Sequence, residues 1–146
     1  MSSTLDVNIL LYASDESSRF HEPALELVER LARGPDLLYL FWPVVMGYLR
    51  VSTHPAIFPR PLTVDAAVGN ISQLLELPHA RAVGEGERFW EVYRETTSAR
   101  VVRGNLVPDA HLVALMRENG IDMLWSHDRD FKTFDGVTAR DPFNGL

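Results

Sequence analysis

Two spacings of apolar residues alternate along this chain. Residues 37–41 form a continuous apolar run, and residues 4–7 and 121–125 are short and mainly apolar, which is typical of buried strands. Segments 20–33 and 63–75 instead carry apolar residues at helical spacing, which predicts helices that cover a core. Segment 108–118 is apolar almost all round, which predicts a largely buried helix. Strands that alternate with helices predict an α/β fold in three layers, in which a mainly parallel central sheet of four to five strands is flanked by helices on both faces.

The length and composition predict one globular domain that spans residues 1–146. A chain of 146 residues is long enough to close one core and too short to divide comfortably into two. Its 46% hydrophobic and 23% charged residues lie close to globular averages and exclude the composition of a disordered chain.

The net charge and the absence of cysteine limit the classes of function that this chain can have. A formal net charge of −6 argues against broad electrostatic capture of nucleic acid, so a nucleic-acid contact has to be local or mediated by a metal. The absence of cysteine excludes a disulfide framework and a thiolate zinc site, and it predicts a cytoplasmic protein. No apolar run is long enough for a bilayer and no export signal is visible, so we expect no membrane association.

Three aspartates are predicted to meet at one edge of the sheet. Asp6 follows the first strand and Asp128 follows the strand at 121–125, and parallel strands share the edge at which they end. The helix that leads into the second of these strands starts at the same edge, with Asp109 in its first turn. Asn8 is expected to cap the helix after Asp6 and to support this site.

Carboxylates gathered in a partly desolvated cleft repel one another, and a hard divalent cation such as Mg²⁺ or Mn²⁺ is the usual compensation. Such a cation lowers the pKa of water and neutralises phosphate charge, which suits phosphodiester hydrolysis. Taken singly, each aspartate is more often a cap or a turn former, so the prediction rests on the joint pattern.

Three motifs carry a family resemblance: LDVNILLY at residues 5–12, GNLVPDAHL at 104–112 and SHDRDF at 126–131. Together with GYLRV at 47–51 and THP at 53–55, they resemble the PIN-domain ribonucleases, specifically the VapC-type toxins of bacterial toxin-antitoxin pairs. The resemblance covers nearly the whole chain. It implies a PIN-like fold, a metal-dependent endoribonuclease, a homodimer, and a cognate antitoxin whose tail occupies the acidic cleft.

The resemblance also implies roles residue by residue. Asp6 matches the first family acid, Asp109 the third and Asp128 the fourth, as catalytic and metal-binding residues. Ser126 matches the small hydroxyl position just before Asp128, and Asp130 matches a frequent extra acid; both are given supporting roles.

One position departs from the family pattern. The family usually has a glutamate on the helix after the second strand, and Gly47 is the best match here. A missing carboxylate removes a ligand or a water-orienting base and reduces metal affinity and rate. The alternative function is therefore a PIN-fold binding protein with weak or no nuclease activity.

Arginines near these motifs are candidates for contact with RNA or the antitoxin. Arg50 lies three residues after Gly47, on the same helical face, and is expected to reach an RNA phosphate or a neighbouring carboxylate. Arg100 and Arg103 precede Asp109 and offer a local basic rim. Solvated surface arginines are the alternative for all three.

Other readings are less well supported. The five histidines lack zinc-ligand spacing, and His111, two residues after Asp109, is expected to face another direction and to serve polar packing. The three tryptophans adjoin apolar segments, which favours packing over base stacking. A phosphatase or receiver module is disfavoured because no phosphate-cradling glycine loop is present and Asp6 lacks a second aspartate two residues later.

Overall fold

The computed structural model describes residues 1–144. The last two positions of the predicted domain, 145 and 146, lie outside the described residues. A short 3₁₀ helix at Arg129–Thr133 accompanies five strands and six α-helices. The strands are β1 (Ser2–Leu5), β2 (Leu37–Phe41), β3 (Ala80–Val83), β4 (Met123–Trp125) and β5 (Thr138–Arg140). The helices are α1 (Val7–Ser14), α2 (His21–Arg33), α3 (Trp42–Ser52), α4 (Val64–Leu75), α5 (Phe89–Thr96) and α6 (Leu106–Glu118).

The five strands form one sheet in the order β3-β2-β1-β4-β5, and every neighbouring pair is parallel. In the middle of the sheet, Thr4 lies beside Tyr39 on one side and Leu124 on the other. The chain moves outward from β1 to β3 and then returns across the sheet to β4. Right-handed crossovers therefore place α1 to α4 on one face and α5 and α6 on the other. The predicted three-layer α/β fold is confirmed.

The helix α6 is the most buried element on its face of the sheet. Its residues are apolar on nearly all sides, which allows most of the helix to be buried. Four consecutive residues have no exposed surface: Val113, Ala114, Leu115 and Met116. The helix ends before Gly120, whose φ of 69° is the left-handed conformation that glycine adopts without strain. The prediction of a largely buried helix at 108–118 is confirmed, and its first turn is anchored at the carboxyl edge of the sheet.

The boundaries at the first motif differ from the prediction. The strand β1 ends at Leu5, and α1 begins at Val7 with Asp6 as its N-cap, whereas Asn8 was expected to be the cap. Asp6 Oδ1 accepts a hydrogen bond from the Val7 N–H at 2.7 Å. Aspartate is as good a cap as asparagine, and Asp6 stands first at the strand end. Asn8 lies within the first turn, exposed.

Among residues 1–144, no helix combines the length and the apolar character that crossing a membrane requires.

Candidate active site

Asp6, Asp109 and Asp128 line one cleft of about 180 Å³ at the carboxyl edge of the sheet. Asp6 follows β1, Asp128 follows β4 by three residues, and Asp109 lies in the first turn of α6. The parallel register of β1 and β4 brings the first two ends together, and the return of α6 toward β4 starts at the same edge. The structure thus brings together the three acids predicted from the sequence.

A group of three carboxylates lies within reach of a single cation. Asp109, Asp128 and Asp130 each place one oxygen within 4.8 Å of the other two. In the described part of the chain, this is the group with the geometry for a metal ion, and Asp6 does not belong to it. Asp130, expected in a supporting role, therefore occupies a position suited to a ligand.

Asp6 is instead held by hydrogen bonds. Its side chain is buried at 8% exposure, with Oδ2 accepting a hydrogen bond from Ser126 Oγ at 3.1 Å. The Asp6 N–H also donates to the Trp125 carbonyl at 2.9 Å. Ser126 Oγ in turn accepts from the Asp128 N–H at 3.0 Å. The buried hydroxyl of Ser126 therefore links the two acids that follow β1 and β4.

The position of Asp130 follows from a local turn. Asp128 is the N-cap of the 3₁₀ helix, and its Oδ1 accepts from the Asp130 N–H at 2.8 Å. A side-chain to backbone bond between residues two apart is an Asx turn. This turn folds the chain back on itself and brings the second aspartate of the SHDRDF motif beside the first.

Burial and the proximity of other acids raise the pKa values of Asp6 and Asp109. Burial, followed by repulsion from Asp128, Asp6 and Asp130, raises the pKa of Asp109 from 3.8 to about 7. Burial also raises the pKa of Asp6, although its hydrogen bonds from Ser126 and Val7 act in the opposite direction. The cleft therefore disfavours full ionisation of its carboxylates unless a positive charge is present.

The helix α3, where the family usually has a glutamate, presents apolar groups to the cleft. Pro43 and Val44 are the residues of α3 that line it in the described chain. Gly47 lies one turn further along the helix, and a Cβ built there would lie 3.4 Å from Val7 Cγ2. At this position α3 packs against α1 and adds no carboxylate.

None of the three predicted arginine contacts lies among the described residues that line the cleft. Arg50 is exposed in the last turn of α3, and Arg103 is exposed in the loop before α6. The Arg100 guanidinium lies over the Phe134 ring, 5.1 Å from its centroid, and its Nε is buried without a hydrogen-bond partner among residues 1–144. Asn8, by contrast, does line the cleft.

The cleft wall contains a paired histidine that the sequence pattern did not predict. His111 lines the same cleft as Asp109, although it was expected to face another direction. Its Nε2 lies 2.6 Å from Glu85 Oε1, and the hydrogen bond from His111 lowers the pKa of Glu85. The Phe89 ring meets the imidazole edge-on at a centroid distance of 5.2 Å. The one sequence signal for this contact was that Glu85 follows β3, which ends at the carboxyl edge of the sheet.

Comparison with known proteins identifies relatives for almost the whole chain. The PIN domain family model matches residues 4–137. The chain is 55% identical over 145 residues to "Ribonuclease VapC48" of Mycobacterium tuberculosis, covering 99% of this chain and 100% of that protein.

Two solved structures share the fold at low sequence identity. One is Mycobacterium tuberculosis VapC20, described as a Sarcin-Ricin loop cleaving toxin, with a TM-score of 0.66, 20% identity, and coverage of 92% of this chain and 98% of that one. The other is a toxin-antitoxin complex from Klebsiella pneumoniae, with a TM-score of 0.58, 15% identity, and coverage of 97% and 98%.

Proposed function

This chain belongs to the PIN-domain family, and from that premise we propose that it is the ribonuclease toxin of a toxin-antitoxin pair, hydrolysing RNA phosphodiester bonds with a divalent cation. The observation that carries the proposal is the group formed by Asp109, Asp128 and Asp130, whose oxygens lie within 4.8 Å of one another at the edge where β1 and β4 end. The 55% identical relative, named a ribonuclease, supports the choice of substrate.

The donor set fits a hard divalent cation. Carboxylate oxygens are the ligands that Mg²⁺ and Mn²⁺ prefer, and such an ion would offset the burial and the neighbouring charges that raise the pKa of Asp109. Asp109, Asp128 and Asp130 would hold the cation, and Asp6 would face it from the end of β1. When bound, the ion lowers the pKa of water and offsets the charge of the phosphate.

The remaining residues of the cleft prepare it for this chemistry. Ser126 and the Val7 N–H fix the Asp6 carboxylate in one orientation, so that it does not have to be ordered when substrate arrives. Val44 and Phe131 form an apolar wall that reduces the water in the cleft and strengthens its electrostatic interactions. Asn8, exposed at the mouth, is placed to hydrogen-bond RNA.

The alternative of a binding protein without nuclease activity is not favoured. It rests on the loss of one carboxylate at Gly47, whereas the curated relative that spans the same length is named a ribonuclease. We infer that Asp130, beside Asp109 and Asp128, restores the number of carboxylates available to the cation.

A cognate antitoxin is the proposed protein partner, supported by the Klebsiella pneumoniae neighbour, which is a toxin-antitoxin complex. Its tail would enter the acidic cleft. Exposed Trp42 and Met46 on α3, at 39% and 54% exposure, are apolar surface for a homodimer. Arg103 and Arg50 would contact RNA phosphate or the antitoxin, while stacking on Phe134 gives Arg100 a packing role as well. The cytoplasm, where such an RNA substrate is found, is the proposed location.

The test is RNA cleavage with added Mg²⁺ or Mn²⁺, comparing wild type, Asp109→Asn and the matched control Asp122→Asn. Asp122 is exposed just before β4, at the opposite edge of the sheet. We expect cleavage by wild type and by the control, and loss of at least about 100-fold in Asp109→Asn. Equal cleavage by all three proteins would refute the proposed site, and no metal-dependent cleavage by wild type would refute the function.

A further inference from the structure

The proposed reaction leaves the choice between RNA and DNA unexplained. Water attacks phosphorus in this chemistry, so the ribose 2′-hydroxyl takes no part in bond formation or cleavage. A protein distinguishes RNA from DNA at a given site through a contact to that hydroxyl. If the chain is an RNA-specific nuclease, as proposed above, a group in or beside the cleft has to recognise the 2′-hydroxyl.

Two polar side chains in the described lining of the cleft are not carboxylates: Asn8 and His111. Asn8 is exposed at the mouth, and an exposed side chain has to be ordered before it can discriminate between ligands. His111 is already ordered. Its Nε2 lies 2.6 Å from Glu85 Oε1, and the Phe89 ring packs against the imidazole. A fixed group discriminates at lower entropic cost, so His111 is the better candidate.

The segment that carries Glu85 is also held in place. The Gly86 and Arg88 N–H groups donate to the carboxylate of Glu118, at 2.8 and 3.1 Å. Glu118 is the last residue of α6, two turns beyond His111 on the same helix. The loop after β3 is therefore attached to α6 at two points, which fixes the distance between Glu85 and the imidazole that it contacts.

The pairing also sets the hydrogen-bonding character of the imidazole. An ionised carboxylate accepts hydrogen bonds and donates none, so His111 Nε2 carries the hydrogen and donates to Glu85. Nδ1 is the ring nitrogen that is not committed to Glu85. A hydroxyl both donates and accepts hydrogen bonds, so it is a suitable partner for the free nitrogen of a ring that lines the cleft.

We propose that His111 Nδ1 forms a hydrogen bond with the 2′-hydroxyl of a nucleotide bound beside the scissile phosphate, and that Glu85 is the positioning residue that fixes the orientation of this ring. The pair thereby gives the site its preference for RNA. Nothing in this role changes the covalent chemistry, which stays with the aspartates.

Binding measurements test the pair independently of cleavage. The probes are a mixed-sequence single-stranded RNA and its 2′-deoxy counterpart with uracil retained, each titrated by fluorescence anisotropy at fixed salt with Ca²⁺ as the cation. Wild type should bind the RNA roughly 5-fold more tightly, as expected for one net hydrogen bond to a partly exposed group. His111→Phe keeps a ring against Phe89 and should reduce this preference to less than about 2-fold.

Glu85 variants separate positioning from general structure. Glu85→Gln keeps an oxygen that accepts from Nε2 and should retain most of the preference, whereas Glu85→Leu should lose it. Glu87→Gln, on the same exposed loop, is the matched control and should behave as wild type. Circular dichroism checks that each variant is folded. Equal binding of both probes by wild type, or an undiminished preference in His111→Phe, would overturn the inference.

The outcome is distinguishable from failure of the proposed function. Metal-dependent cleavage by a wild type that shows no preference for the 2′-hydroxyl refutes the role of His111 and leaves the nuclease intact. A preference that depends on His111, in a protein that cuts no RNA with Mg²⁺ or Mn²⁺, refutes the nuclease and leaves the recognition role intact.

Discussion

Asp109→Asn should make the metal-free protein more stable at pH 8, although it removes a residue of the proposed active site. Burial and three neighbouring carboxylates raise the pKa of Asp109 from 3.8 to about 7. A carboxyl whose folded-state pKa lies above its unfolded value stabilises the fold when protonated. Its contribution is fully present below the unfolded value and is lost as the pH rises through about 7. At pH 8 the folded protein therefore carries an unfavourable charge, which asparagine lacks.

The size of the effect follows from the same pKa. A rise from 3.8 to about 7 corresponds to about 4 kcal/mol at 1.36 kcal/mol per pH unit. Asp109 is partly exposed, so solvent screening reduces this figure, and the α6 N-terminus favours the charge by roughly 0.5 kcal/mol. We expect a net gain of ~2 kcal/mol at pH 8, which raises the melting temperature of a domain of this size by roughly 4 to 8 °C.

Thermal unfolding in EDTA, followed by circular dichroism from pH 4 to pH 8, measures this gain. The difference between Asp109→Asn and wild type should grow with pH, and Asp122→Asn should show no such trend. Mn²⁺ should then stabilise wild type and have little effect on Asp109→Asn. An Asp109→Asn protein that is no more stable than wild type at pH 8 would refute the raised pKa of Asp109, and one that Mn²⁺ stabilises equally would refute its role as a metal ligand.

Three further predictions concern Ser126, Asp130 and Gly47. Ser126→Ala removes the donor to Asp6 and the acceptor for the Asp128 N–H. It should weaken Mn²⁺ binding by roughly 10-fold, measured by titration calorimetry. An unchanged affinity would contradict the role of Ser126 in linking the two acids. Asp130→Asn should weaken the same affinity by roughly 10 to 100-fold if it is a ligand, and an effect no larger than that of Asp122→Asn would exclude it. Gly47→Ala should raise the free energy of unfolding by roughly 0.5 to 1 kcal/mol in urea, because alanine favours a helix more than glycine does. The added Cβ would lie 3.4 Å from Val7 Cγ2, which is not a clash. A loss of stability would contradict this prediction.

The architecture could be predicted because apolar spacing determines it at low resolution. The segment at 37–41 is a strand, as its short continuous apolar run predicts, and the longer apolar segment at 108–118 lies in a helix, as its length predicts. The start of α1 could not be resolved in the same way. Asp6 and Asn8 are comparable caps, and the choice depends on tertiary contacts: the Asp6 N–H bonds to the Trp125 carbonyl, and its side chain bonds to Ser126.

The positions of the three predicted acids depend on backbone placement alone. Asp6 and Asp128 follow parallel strands and Asp109 opens a helix, so the topology is sufficient to bring them together. Asp130 is different because its placement requires the Asx turn at Asp128, which is a matter of side-chain geometry. The contact between Glu85 and His111 joins residues 26 apart through a loop whose course no local pattern specifies.

The distribution of charge across the cleft bears on the meaning of Gly47. On the α3 side the wall is apolar, with Pro43 and Val44, and on the α6 side Asp109 meets Asp128 and Asp130. Carboxylates attract a cation toward the region where they are densest, so the ion should bind close to the amino end of α6 and the turn after β4. A glutamate at position 47 would add a ligand to a cation that Asp109, Asp128 and Asp130 could already hold, so we infer that a glycine there is compatible with nuclease activity.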